Sequence, residues 1–165
     1  MVDPRAKSKD QIPAPWPLPY ISRKALGRIK APAPIPTKCP YCNSEVKLMP
    51  NSVIYSGTSY GDWPYAYLCR SCKAYVGVHP YTDIPLGTLA DRDLREARKN
   101  SKAYFMELSR RRAISRTKMY AWLAEEMDLD ADECHFGWFN TAQCTLAGKI
   151  CLTAIKHDND NDNRN

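Results

Sequence analysis

The pattern of apolar and polar positions changes three times along the chain, and each change predicts a different kind of structure. Residues 1–38 show no sustained period. Two proline runs, Ala14-Pro15-Trp16-Pro17-Leu18-Pro19 and Ala31-Pro32-Ala33-Pro34-Ile35-Pro36, flank a short stretch in which Ile21, Ala25, Leu26 and Ile29 have helical spacing. Proline fixes φ and removes a backbone donor, so these runs predict extended chain around one or two basic amphipathic turns. Residues 39–87 alternate over short runs instead. Glu45–Leu48, Ser52–Tyr55, Ala66–Leu68 and Ala74–Val78 read as strands, with Gly57, Gly61 and Asp62 as turns between them.

From residue 88 the period becomes helical. Thr88-Leu89-Ala90-Asp91 offers a hydroxyl cap with a carboxylate three residues on, and Leu94, Ala97, Tyr104, Phe105 and Leu108 form one stripe, predicting a helix over 88–112. A second helix is expected from Ser115 to Met127, with Met119, Trp122, Leu123 and Met127 facing inward. A third opens at Asn140-Thr141-Ala142-Gln143 and carries Cys144, Ala147, Ile150, Cys151 and Ala154. The end of the chain, His157 to Asn165, is almost wholly Asp and Asn and reads as a disordered acidic tail. The predicted fold is α+β: a small ribbon of short antiparallel strands, then about three helices. Its expected divisions are a proline-rich basic arm (1–38), the ribbon (39–87), a helical region packed on it (88–156) and the tail (157–165).

Charge adds a polarity that the pattern alone does not show. The net charge of +6 is spread unevenly over the 165 residues: residues 1–38 carry +6, 39–87 zero, 88–119 +6 and 120–165 −6. Two basic segments and an acidic end suit a polyanionic partner, or a solvated face. No apolar run approaches the roughly 18 residues of a membrane helix, and no apolar core of a signal peptide follows Met1. A cytoplasmic setting is therefore expected, where paired cysteines more often hold metal than form disulfides.

The cysteines carry the clearest chemistry. Cys39-Pro-Tyr-Cys42 and Cys69-Arg-Ser-Cys72 are two Cys-x-x-Cys pairs. Each pair presents two thiolates from one tight turn, and two pairs complete the tetrahedron that Zn²⁺ prefers. Four sulfurs leave no open position, so one structural Zn²⁺ is expected, with its coordination closed to water. Backbone N–H groups of the two turns are expected to donate to the sulfurs, and Lys38, Lys47, Arg70 and Lys73 to offset their charge. His79, just before Pro80, reads as a turn residue, and Cys134, Cys144 and Cys151 as buried small apolar groups. Asp158–Asp162 lacks the glycine and distal glutamate of a calcium loop.

Several further motifs accompany the cysteines: Ala74-Tyr75-Val76-Gly77-Val78-His79-Pro80, Pro85-Leu86-Gly87-Thr88-Leu89-Ala90-Asp91, Tyr120-Ala121-Trp122-Leu123-Ala124 and Glu133-Cys134-His135-Phe136-Gly137-Trp138-Phe139. Taken together, residues 38–155 resemble a family of small zinc-finger-containing proteins frequent in bacteriophages and prophages. The resemblance implies the zinc-ligand role of the four cysteines and a phage or bacterial cytoplasmic setting. It brings no reaction with it.

Three classes of function compete. A nucleic-acid-binding accessory protein would stack bases on aromatic residues such as Tyr60, Trp63 and Tyr65. It would neutralise phosphates with Arg92, Arg95, Lys99 and Lys102, and with the cluster Arg110, Arg111, Arg112, Arg116 and Lys118. On this reading the ribbon and the basic helix share one surface. A protein adaptor would use the arm to dock on host machinery such as RNA polymerase, the ribosome or a defence complex. An enzyme would draw on His79, Asp83, Glu133 and His135, but no nucleotide-binding loop or catalytic metal motif accompanies them. Nucleic-acid binding is the favoured expectation, with no membrane and no small-molecule substrate.

Overall fold

Strand β2 (Tyr65–Cys69) has no charged residue, and it lies where such a run belongs, in the middle of a three-stranded antiparallel sheet. Strand β1 (Val46–Pro50) flanks it in the register Val46↔Cys69 to Pro50↔Tyr65, and β3 (Tyr75–Gly77) pairs the other edge through Tyr67↔Val76. Side chains alternate along a strand, so this register gathers Val46, Leu48, Tyr67, Cys69 and Val76 on one face. All five belong to the core cluster of the first of two compact units. In this computed structural model the units span Met1–Asp91 and Arg92–Asn165, and residues 1–162 are described, Asp162 by its backbone alone.

The stretch Ser52–Tyr55, expected as a strand, is a tight turn opening with a single 3₁₀ turn at Asn51–Val53. Asn51 explains it. Its side-chain amide donates to the Tyr60 carbonyl at 2.9 Å and its amide oxygen accepts from the Tyr60 N–H at 3.2 Å. One side chain thus takes the place of a strand partner and closes the β1–β2 loop.

The proline-rich segment departs most from expectation. Ile12, Leu18, Ile21, Leu26 and Ile29 are buried in the same cluster as the sheet. Helix α1 (Arg23–Leu26) is capped by Ser22, whose hydroxyl accepts from the Ala25 N–H, and it drives Leu26 fully inside. A second anchor is ionic. Arg5 donates to both carboxylate oxygens of Asp83, at 2.8 and 2.9 Å, while also pairing with Asp3. Asp83 is buried, and these partners raise the pKa of Arg5. Proline shapes this segment without freeing it, because its apolar residues have a sheet face to cover.

In the second unit, α2 (Arg92–Arg112), α3 (Arg116–Met127) and α4 (Thr141–Asp162) enclose their own core. Helix α2 starts at Arg92, later than the cap at Thr88 predicts. The reason is that Ala90 is engaged elsewhere: it exchanges two backbone hydrogen bonds with Tyr75, at 3.0 and 3.1 Å. The other starts match the sequence reading. Ser115 caps α3, and Asn140 and Gln143 form a reciprocal capping box at α4, each side chain bonded to the other's backbone N–H at 2.9 Å.

Helices α2 and α4 run parallel. Arg98 reaches the Phe139 carbonyl near their starts, and Arg112 pairs with Asp158 near their ends. Those end contacts, with Arg111 on Asn159 at 2.7 Å, accompany helix through residues 157–162, the first part of the expected acidic tail. Positions 163–165 lie outside the described residues. Phe105, Leu108, Met119, Leu123, Phe136 and Phe139 fill the core, with Cys134, Cys144 and Cys151 buried among them. Burial raises the pKa of each of these thiols. Among the described residues no helix is long and apolar enough to cross a membrane.

Gly148 sits where α4 meets α2. A Cβ there would lie 3.6 Å from the Ser101 Cβ, an ordinary contact. Alanine also favours a helix over glycine by about 0.8–1 kcal/mol. Gly148→Ala is therefore expected to stabilise the second unit by about 0.5–1 kcal/mol in urea titration, and a loss of stability would show that the interface is tighter than its geometry.

Candidate functional site

Two turns of the same construction hold the four expected ligands. In each, the first cysteine's N–H donates to a carbonyl five residues on: Cys39 to Ser44 at 2.9 Å, Cys69 to Ala74 at 2.8 Å. In each, the residue four positions on donates back to that cysteine's carbonyl, from Asn43 and from Lys73, both at 2.9 Å. Those two residues have φ of 57° and 65°, a left-handed conformation that Asn tolerates and Lys adopts at a penalty. The turns are thus shaped backbone first, so that the two thiols of each pair point the same way.

The pairs then meet. Cys39 Sγ lies 3.4 Å from Cys72 Sγ, Cys42 Sγ lies 3.4 Å from Cys69 Sγ, and all four sulfurs fall within 4.8 Å of one another. A tetrahedron with Zn–S bonds of about 2.3 Å has sulfur–sulfur edges of about 3.8 Å, so the cluster fits that ion. Cys39 and Cys69 are buried; Cys42 and Cys72 are exposed. The site binds one structural Zn²⁺, and four thiolates leave no position at which water could react.

Hydrogen bonds tune the sulfurs as the turn geometry predicts. The Ser44 hydroxyl and N–H stabilise the Cys42 thiolate and, with the neighbouring Cys69, draw its pKa down to about 6. The Ala74 N–H acts the same way on Cys72. Desolvation and the crowd of Cys39, Cys69 and Cys42 outweigh it, and Cys72 is pushed up to about 12. Without a cation, four sulfurs this close cannot all ionise; a bound divalent metal removes that conflict. Ser44 was not read from the sequence, although a hydroxyl two residues past Cys42 was a visible signal. Lys47, expected to offset the sulfur charge, is paired with Glu45 at 3.2 Å.

The expected cationic residues separate into two groups. Arg110 and Arg111 both bind Glu107, at 2.8 and 2.6 Å. Arg112 pairs with Asp158 and covers the Trp122 ring at 5.0 Å, and Arg116 lies over the Tyr120 ring at 5.5 Å. Four arginines of this cluster thus have intramolecular contacts, though Arg110 and Arg111 share one carboxylate and stay exposed; Lys118 is exposed beside them. The second group is set apart by its spacing along one helix. Arg92, Arg95, Lys99 and Lys102 recur at intervals of three, four and three along α2, opposite the buried Leu94, Ser101, Phe105 and Leu108. That spacing aligns four cations over about 15 Å of one helix face.

The aromatic candidates also separate. Tyr60 is exposed and packs edge-on against Tyr55, with centroids 5.0 Å apart. Trp63 and Tyr65 are half-buried and contact each other at 5.1 Å. The possible catalytic residues are divided between the two units. Asp83 is held by Arg5, and the carbonyl of His79 accepts from the Thr82 N–H and hydroxyl. His135 lies in the second unit with Glu133 and contacts Tyr120 at 5.0 Å. Its pKa is lowered by partial burial and by Arg116. Among the described residues, the four cysteines are the one cluster of metal-ligating side chains.

A family model described as a zinc-finger-containing domain matches residues 35–153, from just before the first cysteine turn to the last part of α4. No curated protein and no solved structure matches the chain.

Proposed function

The chain belongs to the DUF3268 family of zinc-finger-containing domains, and on that premise we propose that it is a zinc-stapled accessory protein that binds nucleic acid through the cationic face of α2. The observation that carries this reading is the alignment of Arg92, Arg95, Lys99 and Lys102 on a face opposite the core of the helix. Glu96 shares this face, where the four cations outnumber it. Zinc serves as a staple and takes no part in chemistry, since its coordination is complete. A reducing bacterial cytoplasm, as a host to phage or prophage, suits a centre built from four free thiols.

Four phosphate contacts imply an affinity that falls about 100-fold between 50 and 200 mM salt, with a log–log slope near −3.6 on duplex DNA. Lys99→Ala/Lys102→Ala is expected to reduce that slope by about two and to weaken binding similarly for all sequences. Fluorescence anisotropy with short DNA and RNA measures both. Absence of binding at low salt sinks the reading. A nuclease-resistant complex with a protein instead would favour the adaptor that docks on host machinery.

A further inference from the structure

Tyr81 occupies a position made for glycine. The Thr82 N–H donates to the His79 carbonyl at 3.1 Å, closing a turn over Pro80 and Tyr81, and Tyr81 has φ of 64°. Proline at the second position cannot take a positive φ, so this is a type II turn, whose third residue is ordinarily Gly or Asn. A bulky aromatic residue there is strained. The surrounding structure nevertheless fixes it firmly. The Ser22 N–H donates to the Tyr81 carbonyl at 2.8 Å, Thr82 is fully buried, and Asp83 is gripped by Arg5.

The product of this bracing is an exposed aromatic group. The Tyr20 and Tyr81 rings lie within 8° of parallel, with centroids 6.4 Å apart. Trp63 contacts both by its edge, at 5.3 and 5.4 Å, and its indole N–H donates to the Thr82 carbonyl at 2.9 Å. Tyr20 is 49% and Tyr81 40% exposed, so two similarly oriented rings meet solvent on a held base. The chain following Tyr20 supplies exposed cations, Arg23, Lys24 and Arg28, and no acidic residue occurs between Asp10 and Glu45. The Arg23 guanidinium donates to two backbone carbonyls, which leave its charge uncompensated.

We propose that Tyr20, Trp63 and Tyr81 form a stacking platform for unpaired bases of a single-stranded nucleic acid, with Arg23, Lys24 and Arg28 taking the adjacent phosphates. The proposal rests on the nucleic-acid reading above and narrows its substrate. Aromatic faces accept any base, and paired bases do not expose theirs, so the platform selects strand state and not sequence. The strain at Tyr81 is explained by the position it gives the ring.

The test uses the zinc-loaded full chain and three labelled probes: an oligothymidine 15-mer, an abasic 15-mer of equal charge, and a 15-base-pair duplex. Tyr81→Gly removes the ring and suits the turn, so it is expected to fold at least as well as the parent by thermal melting. It should bind the oligothymidine about 5- to 100-fold more weakly, the range for losing one stacked base. Its binding to the abasic strand and the duplex should not change. Tyr20→Ala should behave alike, whereas Lys99→Ala/Lys102→Ala should weaken all three probes. Equal parent affinity for the oligothymidine and abasic strands overturns the platform while leaving the nucleic-acid reading intact. So does a Tyr81→Gly protein that binds oligothymidine normally. Failure to bind any probe at 50 mM salt overturns both.

Discussion

Cys72→Ser is expected to release zinc and unfold the sheet of the first unit, β1 to β3. Structural zinc binding contributes about 10–16 kcal/mol in small modules, as much as the whole stability of about 5–15 kcal/mol of most domains. Losing one of four thiolates forfeits much of that. It also leaves Cys39 and Cys69 inside the core with no cation to satisfy them. Inductively coupled plasma mass spectrometry should find the variant metal-poor, and amide exchange should show residues 39–78 losing protection. Chelation of the parent should produce the same exchange pattern. The second unit supplies an internal control, since its core contains none of the four ligands and its helical ellipticity is expected to persist. A metal-free variant with protected β2 amides would refute the staple.

Leu26→Ala is expected to destabilise the first unit by about 2–5 kcal/mol, the range for truncating a fully buried leucine. Leu26 has no exposed surface and sits in the cluster that contains Tyr67 and Val76. Ile35, in the second proline run, is 44% exposed. Ile35→Ala should therefore change stability by no more than about 0.5 kcal/mol. Urea denaturation followed through tryptophan fluorescence compares them. If the two variants behaved alike, the segment would be acting as a loose arm and its packing would contribute little.

That contrast shows where the sequence was legible. Each Cys-x-x-Cys turn, the Ser115 cap and the Asn140–Gln143 box is local: spacing within four residues determines it, and the zinc site needs only that the first of these patterns occurs twice. The burial of Ile12, Leu18 and Leu26 is different. Proline interrupts any period that would mark them as one face, and the surface they cover is made by strands beginning at Val46. The anchor that holds them, Arg5 on Asp83, joins residues 78 apart. The ion pairs within the arginine cluster were only partly legible for a similar reason. Glu107 stood within reach of Arg110 and Arg111, but Asp158, the partner of Arg112, lay 46 residues away in a stretch that looked like solvated tail. Tyr81 was missed because a type II turn announces itself through glycine, and here the glycine is replaced.

The unequal burial of the four sulfurs sets an order of events for the ion. Cys42 and Cys72 are exposed, and Cys39 and Cys69 are buried. A competing chelator or an oxidant is expected to meet Cys42 and Cys72 first, and losing either thiolate already forfeits the ion. The exposed pair is thus the vulnerable half of the staple: attack there is expected to cost the metal first and the sheet afterwards, without any reagent having to enter the core.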